Sequence, residues 1–499
     1  MTMPRDRLEP PYPAVRHRLA FVLCLWASWA TTVRAAGPAW IAEMSSQEGH
    51  AARADAIDVW LPAGEFVTVA VHDADQIEVE APPDVRTDTF VVWTETRAIF
   101  RNRPESRQET IPYYLPSRRW LKPDKDRPSW AVRLFCREPG VHVVPIRCPG
   151  NTVTVTLRVT AGVPPSDCGF GFYGNYQAYS YGEQEPLVLK HMRDYGCNTF
   201  TAYSWTADGS DLVRQMETAA RVGLLDKRFG VLVLPTSPPG TLIPSVVEAG
   251  RDSEAWPELI AYNHDEPRRD QEEKVRAASR EVHVAGLRTG TAMGAASAFL
   301  MGDCLDIWIV HMNVVNDTLR ELCRRRDAEW WVYNCNLRGT NAPLHRYYTG
   351  AWTWKVRPKV NLLWAYQHGG TSLVHKDGTW APGRLWEHAL GAPDGPMSTV
   401  GLEGVRDGIV DYRVLRRLEQ LVAAHPRHEK VPEIAHWLQS ITDRVDTQFW
   451  PQGRGPDYAE EFWDVPDTAV PPIDGARMRR KALQYMVAME QDVDNKNDQ

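Results

Sequence analysis

Gly169-Phe170-Gly171-Phe172-Tyr173, a periodic stretch over 186–195 that ends at Gly196, and then Asn198-Thr199-Phe200-Thr201-Ala202-Tyr203 decide the fold. Two short apolar runs flank a segment of helical spacing, so the unit reads strand, helix, strand. The alternation continues with a helix over 210–222. Further strands follow at 230–234, 259–262, 288–292, 305–310, 330–333 and 361–365. Eight candidate strands, mostly separated by helical segments, predict a central (β/α)8 TIM-type barrel over residues 166–400. An open doubly wound sheet is the competing topology, but no Gly-x-Gly-x-x-Gly loop opens the first helix.

Outward from the barrel, Phe66-Val67-Thr68-Val69-Ala70-Val71 and Val153-Thr154-Val155-Thr156-Leu157-Arg158-Val159 alternate with a period of two. Half-buried strands do this. Runs at 130–136 and 141–147 flank Glu138-Pro139-Gly140, a hairpin turn. Short strands at this spacing predict an N-terminal β-sandwich over 40–163. The charged stretch 101–127 reads as a long exposed loop, and Gly162-Val163-Pro164-Pro165-Ser166 marks a domain boundary. Beyond Gly401 the chain turns helical, with an apolar stripe at Val405, Ile409, Leu415, Leu418 and Leu421 and further helices at 431–449 and 476–490. The expected architecture is therefore multidomain α/β: sandwich, barrel, and a C-terminal helical region over 401–490.

Arg16, His17 and Arg18 precede an apolar run over 19–30, and Val33-Arg34-Ala35 follows with small residues where a signal peptidase cuts. Residues 1–36 thus read as a signal peptide cleaved near Ala35 or Ala36, giving a secreted or periplasmic protein. The run is too short to span a bilayer, so no stable membrane insertion is expected after cleavage. Net charge is -7 and no basic stripe is present, which argues against nucleic acid as a partner. Beyond Cys24, seven cysteines remain and none sits in a Cys-x-x-Cys pair. Neither a metal centre nor a cofactor is expected, and buried thiols with at most one disulfide are the simplest reading. Twenty tryptophans exceed what core packing ordinarily uses. Their flat apolar faces raise the case for a sugar ligand.

In such a barrel the reacting groups sit at the carboxyl ends of strands. The fourth strand runs into Tyr262-Asn263-His264-Asp265-Glu266-Pro267. Adjacent carboxylates there repel each other, and side chains alternate along a strand, so both reach the mouth only if the backbone bends. By spacing alone an Asp-Glu pair is more often a solvated surface feature.

Tyr262 to Pro267 resembles the Tyr-x-x-Asp-Glu-Pro segment of glycoside hydrolase family 123-like barrels. Two further segments are similar to the end of that barrel: Arg346-x-x-x-Gly350-x-Trp352-x-Trp354, and Asn361-Leu362-Leu363-Trp364-Ala365-Tyr366. A fourth, Glu403-Gly404-Val405-Arg406-Asp407-Gly408-Ile409-Val410-Asp411-Tyr412, looks like the segment that follows it. The resemblance implies removal of β-linked N-acetylgalactosamine by substrate-assisted retention. It makes Glu266 the general acid and base, and Asp265 the residue that supports the substrate acetamido group. A glycan or glycoconjugate is then the partner. The short 235–258 connection departs from the family and bears on the sugar accepted.

Strand ends supply the candidate sugar-binding residues Tyr203, Trp205, Tyr262, Asn313, Tyr333, Trp364 and Tyr366, alongside Tyr173, Asn175, His311 and Asn334. Glu403 and Arg406, one helical turn apart, read as an ion pair. His264 lacks a second histidine at ligand spacing, so a metal there is not expected. The alternative function is a non-catalytic carbohydrate-binding protein on the same barrel.

Overall fold

Alternating valines build the first layer. Val67, Val69 and Val71 turn one way from their strand and are fully buried against Val153, Val155 and Leu157 of a second sheet. The computed structural model describes residues 38–47, 52–99, 107–116, 129–173, 184–204, 206, 208–235, 244–335, 337, 341–367, 373–374, 380–381, 388–391, 395–447 and 470–497. The proposed leader, Asn175 and Trp205 lie outside them.

Among the described residues nine strands form the sandwich: β1 (Trp40–Glu43), β2 (Ala56–Pro62), β3 (Phe66–His72), β4 (Glu78–Val79), β5 (Val85–Ile99), β6 (Arg107–Pro116), β7 (Ser129–Cys136), β8 (Gly140–Cys148) and β9 (Asn151–Thr160). One sheet runs β1-β3-β7-β5-β6 and the other β2-β9-β8-β4. One expectation is corrected here. Part of the charged stretch read as a loop is strand β6, paired antiparallel along β5 from Phe90↔Pro116 to Ile99↔Arg107. It stands at the sheet edge, where charged residues are tolerated and guard against further pairing.

The other face of the β3 sheet is covered as well. Ala70 and Ala131 pack with Met44, with Ala342 of the helix Ala342–Tyr347 that precedes the last barrel strand, and with Val400 of the helix that follows the barrel. Thr68 donates a hydrogen bond to Glu403, and Arg133 pairs with Glu403 at 2.7 Å. This corrects a second expectation: Glu403 and Arg406 do not pair with each other. Arg406 reaches Glu65 instead. Both are buried, and each finds a partner on the sandwich because the sandwich lies against that turn of the helix.

The barrel strands are β10 (Gly169–Phe172), β11 (Thr201–Ser204), β12 (Val231–Pro235), β13 (Leu259–Asp265), β14 (Arg288–Met293), β15 (Ile307–His311), β16 (Glu329–Asn334) and β17 (Val360–Leu363). All pairings are parallel, in the order β10-β17-β16-β15-β14-β13-β12-β11. The remaining seam, β10 to β11, closes through Asn198 rather than a regular ladder. Its Oδ1 accepts from Phe170 N–H at 2.7 Å, and its own N–H donates to Phe170 O at 3.0 Å. A side chain at Gly171 would place a Cβ 2.5 Å from Thr199 O, so the strands approach this closely only with glycine there. The interior is filled by Tyr173, Leu232, Ile260, Tyr262, Ile309, Trp331, Tyr333 and Leu362 among others. It is a packed core.

Beyond the barrel, helices Val400–Ala424, Val431–Arg444 and Gly475–Asn497 follow. A Cβ on Gly404 would lie 2.1 Å from Ala342 O, so this glycine lets helix Val400–Ala424 lie directly on helix Ala342–Tyr347. Between them sits a buried ionic cluster. Arg346 makes two bonds to Asp411, at 2.6 and 3.0 Å, and also reaches Glu43 of β1. Arg479 bonds Glu43 at 2.6 Å and Asp407 at 3.0 Å. Sandwich, barrel and C-terminal helices are thus locked together through four ionised segments of chain. The seven cysteines expected as thiols are all free. No described helix is long and apolar enough to cross a membrane.

Candidate active site

Strand parity decides whether two adjacent carboxylates can share one face. Along β13, Ile260 and Tyr262 point into the barrel. A regular strand would then send residue 264 inward and 265 outward. The ladder to β14 is instead irregular: Tyr262 pairs with Gly290, His264 with Thr291 and Asp265 with Ala292, leaving Asn263 as an extra residue. This is a β-bulge. The extra residue turns outward, where its Nδ2 donates to Val275 O and Ser279 Oγ of helix Glu272–Val284. Parity is reset, and Asp265 stands beside Ala292, an inward position.

Glu266 would then face out, but its backbone has φ +42° while its N–H still donates to Ala292 O at 3.0 Å. That left-handed turn is uncommon for glutamate and swings the side chain back over the mouth. Pro267 follows and ends the strand.

The structure gives each carboxylate a tyrosine. Tyr262 donates to Asp265 Oδ1 at 2.7 Å. Tyr333, at the same end of β16, donates to Glu266 Oε1. Tyr173 stands between the two phenols, edge-on to Tyr262 at 6.2 Å and Tyr333 at 6.1 Å between ring centroids, with Trp364 at 5.7 Å. Burial pushes the Tyr173 and Tyr262 hydroxyls well above their ordinary range, with the nearby Asp265 charge adding to it. The phenols therefore stay neutral donors.

Both acidic residues keep exposed surface at the rim. The Glu266 carboxyl is nevertheless tucked in far enough that desolvation raises its pKa. The Asp265 charge raises it further, and the Tyr333 hydrogen bond opposes both without cancelling them. Behind Tyr333, His311 packs edge-on at 4.9 Å. Burial lowers its pKa to about 4, so at neutral pH it places no cation near the acid.

One consequence is measurable. Tyr333→Phe removes the bond that favours the ionised carboxylate, so the Glu266 pKa should rise further. Titration of the Glu266 carboxyl followed by carbon NMR should show a higher midpoint in the variant than in the wild type, and a lower one would contradict the contact.

The other candidates divide. Tyr203 is buried in the barrel interior, and half-buried Trp364 packs onto that interior beside Tyr173. Asn313 sits just past β15, its Oδ1 bonded to His311 and its Nδ2 buried without a partner among the described residues. Asn334 is buried and caps the turn that follows, accepting from Leu337 N–H at 3.3 Å. Tyr366 is not brought to the carboxylates. It is fully buried between Phe172 and His191 of helix Glu185–Asp194, with its hydroxyl on the imidazole. Its strand has already ended at Leu363, and the Trp364-Ala365 peptide is cis. Sequence reading gave Tyr173 and His311 only as strand-end residues among several. Their placement behind both acids depends on neighbours far away in the chain.

No family model and no curated protein sequence matches this chain. Among solved structures it is similar to a family 123 glycoside hydrolase from Clostridium perfringens, a structure that addresses glycolipid glycan hydrolysis. The match covers 91% of this chain and 99% of that one, with TM-score 0.62 and 12% identity. An exo-β-1,4-mannosidase from Opitutaceae bacterium strain TAV5 aligns over 51% of this chain and 60% of that one, with TM-score 0.30 and 11% identity. At 12% identity the first likeness is one of fold. Its sandwich, barrel and C-terminal helices make the architecture family 123-like.

Proposed function

We propose that this chain is an exported glycoside hydrolase that removes β-linked N-acetylhexosamine residues, of the N-acetylgalactosamine type, by substrate-assisted retention. The observation that carries the reading is the bulge and left-handed turn that bring Asp265 and Glu266 to one mouth with different surroundings. Glu266, its pKa raised, is suited to hold a proton near neutral pH and pass it to the glycosidic oxygen. Asp265, fixed by Tyr262, stays available to orient the acetamido N–H while the acetamido oxygen attacks the anomeric carbon. The leaving alcohol then departs with the Glu266 proton. In the second half, the Glu266 carboxylate takes a proton from water as that water opens the cyclic intermediate. Because the nucleophile belongs to the substrate, the two carboxylates need not stand on opposite faces of the sugar.

The indole of half-buried Trp364, backed by Tyr173, offers a face for stacking. The Arg-flanked apolar run before Ala35 supports export.

The test is a comparison of two aryl β-glycosides that differ only at C2. The 2-acetamido galactoside should turn over, and the plain galactoside should be at least 1,000-fold slower, since proximity of an internal nucleophile is worth that much or more. Equal rates would defeat substrate assistance. No turnover of any aryl glycoside, with the sugar still bound, would favour a carbohydrate-binding protein.

A further inference from the structure

Away from the barrel mouth, three sandwich residues converge on one point. Cys136 ends β7 and pairs in the ladder with Val85, so Asp84 lies next to the thiol. The Glu138-Pro139-Gly140 turn then brings His142 of β8 back over it. Asp84 Oδ2 lies 2.7 Å from His142 Nδ1. The other ring nitrogen, Nε2, is 3.5 Å from Cys136 Sγ and 3.0 Å from Glu138 O, and Sγ is 3.4 Å from the same carbonyl.

With Asp84 accepting from Nδ1–H, Nε2 presents a lone pair to the Glu138 carbonyl, also an acceptor, at 3.0 Å. A proton or a metal ion held between the two reconciles them.

A cation in the middle removes the conflict. Zinc–sulfur bonds are about 2.3 Å, and zinc–nitrogen and zinc–oxygen bonds about 2.0–2.2 Å. Tetrahedral edges built from these lengths are about 3.5 Å for S···N, about 3.4 Å for N···O and about 3.6 Å for S···O. The observed triangle of 3.5, 3.0 and 3.4 Å is already close to one face of that tetrahedron. Asp84 on the far nitrogen fixes tautomer and ring direction, as carboxylates behind metal-bound histidines do. Asp84, Cys136 and His142 each offer a donor atom within 4.8 Å of the others.

We propose that Cys136 Sγ, His142 Nε2 and the Glu138 carbonyl form a site for a thiophilic divalent cation of the zinc class, oriented by Asp84. Water takes the fourth position, on the side where Glu138 and Pro139 are exposed. On binding, the Cys136 S–H bond breaks, a sulfur–metal bond forms and the proton goes to solvent. Because the thiol gives up its proton on binding, affinity increases with pH. The site ties the β7–β8 turn to the start of β5, a structural role independent of the barrel chemistry.

The experiment uses the full chain, stripped with chelator and titrated with Zn²⁺ alone in two buffers of different ionisation enthalpy, then with Co²⁺ followed by absorption. Wild type should bind one equivalent, release about one proton, and show a thiolate-to-cobalt charge-transfer band with tetrahedral visible bands. Cys136→Ser and His142→Gln should each abolish the band. Asp84→Asn should weaken binding roughly 10- to 100-fold, the usual cost of a lost partner behind a ligand. Absence of binding to wild type overturns the site, and so does a charge-transfer band that survives in His142→Gln. His142 lies partly buried between exposed Val141 and Val143, so that variant keeps the test open should Cys136→Ser fail to fold.

Discussion

Glu266→Gln should lower turnover of an N-acetylgalactosaminide with a poor leaving group by roughly 100- to 10,000-fold, the usual worth of a positioned proton donor. The loss should shrink on a dinitrophenyl glycoside, whose leaving group departs without a proton. In the proposed mechanism Asp265 acts on the acetamido group and not on departure, so Asp265→Asn should slow both substrates by the same factor. The two variants measured against good and poor leaving groups therefore separate the two roles. Identical dependence on leaving-group acidity in both would remove the assignment. A stability control belongs beside them. The folded pKa of Glu266 is raised, so its contribution to stability is complete below the unfolded carboxylate pKa and is lost as pH rises toward the folded value. Glutamine cannot ionise. Glu266→Gln should thus melt no lower than wild type at neutral pH, and a lost rate cannot then be ascribed to unfolding.

Arg346→Met should cost about 3–5 kcal/mol, the penalty for taking one partner from a buried ion pair. The reason lies in what it leaves behind. Asp411 is fully buried and loses both of its short bonds, and Glu43 is left to Arg479 alone. Arg346 is among the groups that hold the Asp411 pKa down against desolvation. Without it that pKa rises in the folded state, so the variant's deficit should deepen as pH rises and ease as Asp411 takes up a proton in acid. Denaturant melts at two pH values read this directly. A deficit below about 1 kcal/mol at neutral pH, or one that grows in acid, would show that the cluster does not hold the three parts together.

This cluster also changes what the family-like segments mean. Of the segments that resemble family 123 outside the Asp-Glu pair, the one around Asn361 brings Trp364 beside Tyr173, whereas Arg346, Gly350, Gly404, Asp407, Gly408 and Asp411 lie where the helices meet. None of the latter lines the mouth. Gly350 and Gly408 approach each other where helix Val400–Ala424 crosses the segment after β16, with 3.2 Å between an added Cβ on the first and the carbonyl of the second. The charged residues neutralise one another beneath. Those residues carry the assembly of the fold, and the proposed chemistry rests on the short run ending at Pro267.

By itself the sequence determined the elements and their order. Period-two valines, helical stripes and strand-ending residues act within a few positions, and the eight barrel strands appear within one to three residues of where periodicity places them. It also put Asp265 and Glu266 at a strand end, because Pro267 forbids continuation. Tertiary structure alone decided that both reach the mouth. Simple alternation sends one of two neighbours away, and only the register against β14 shows the extra residue at Asn263 that reverses this. In the same way Glu403 and Arg406 had the right spacing for each other, yet their partners Arg133 and Glu65 lie on the sandwich. Tyr333 meets Glu266 across 67 residues. Local spacing states which groups are near along the chain. Which of them touch, and with what pKa, depends on the surfaces that folding presses against them.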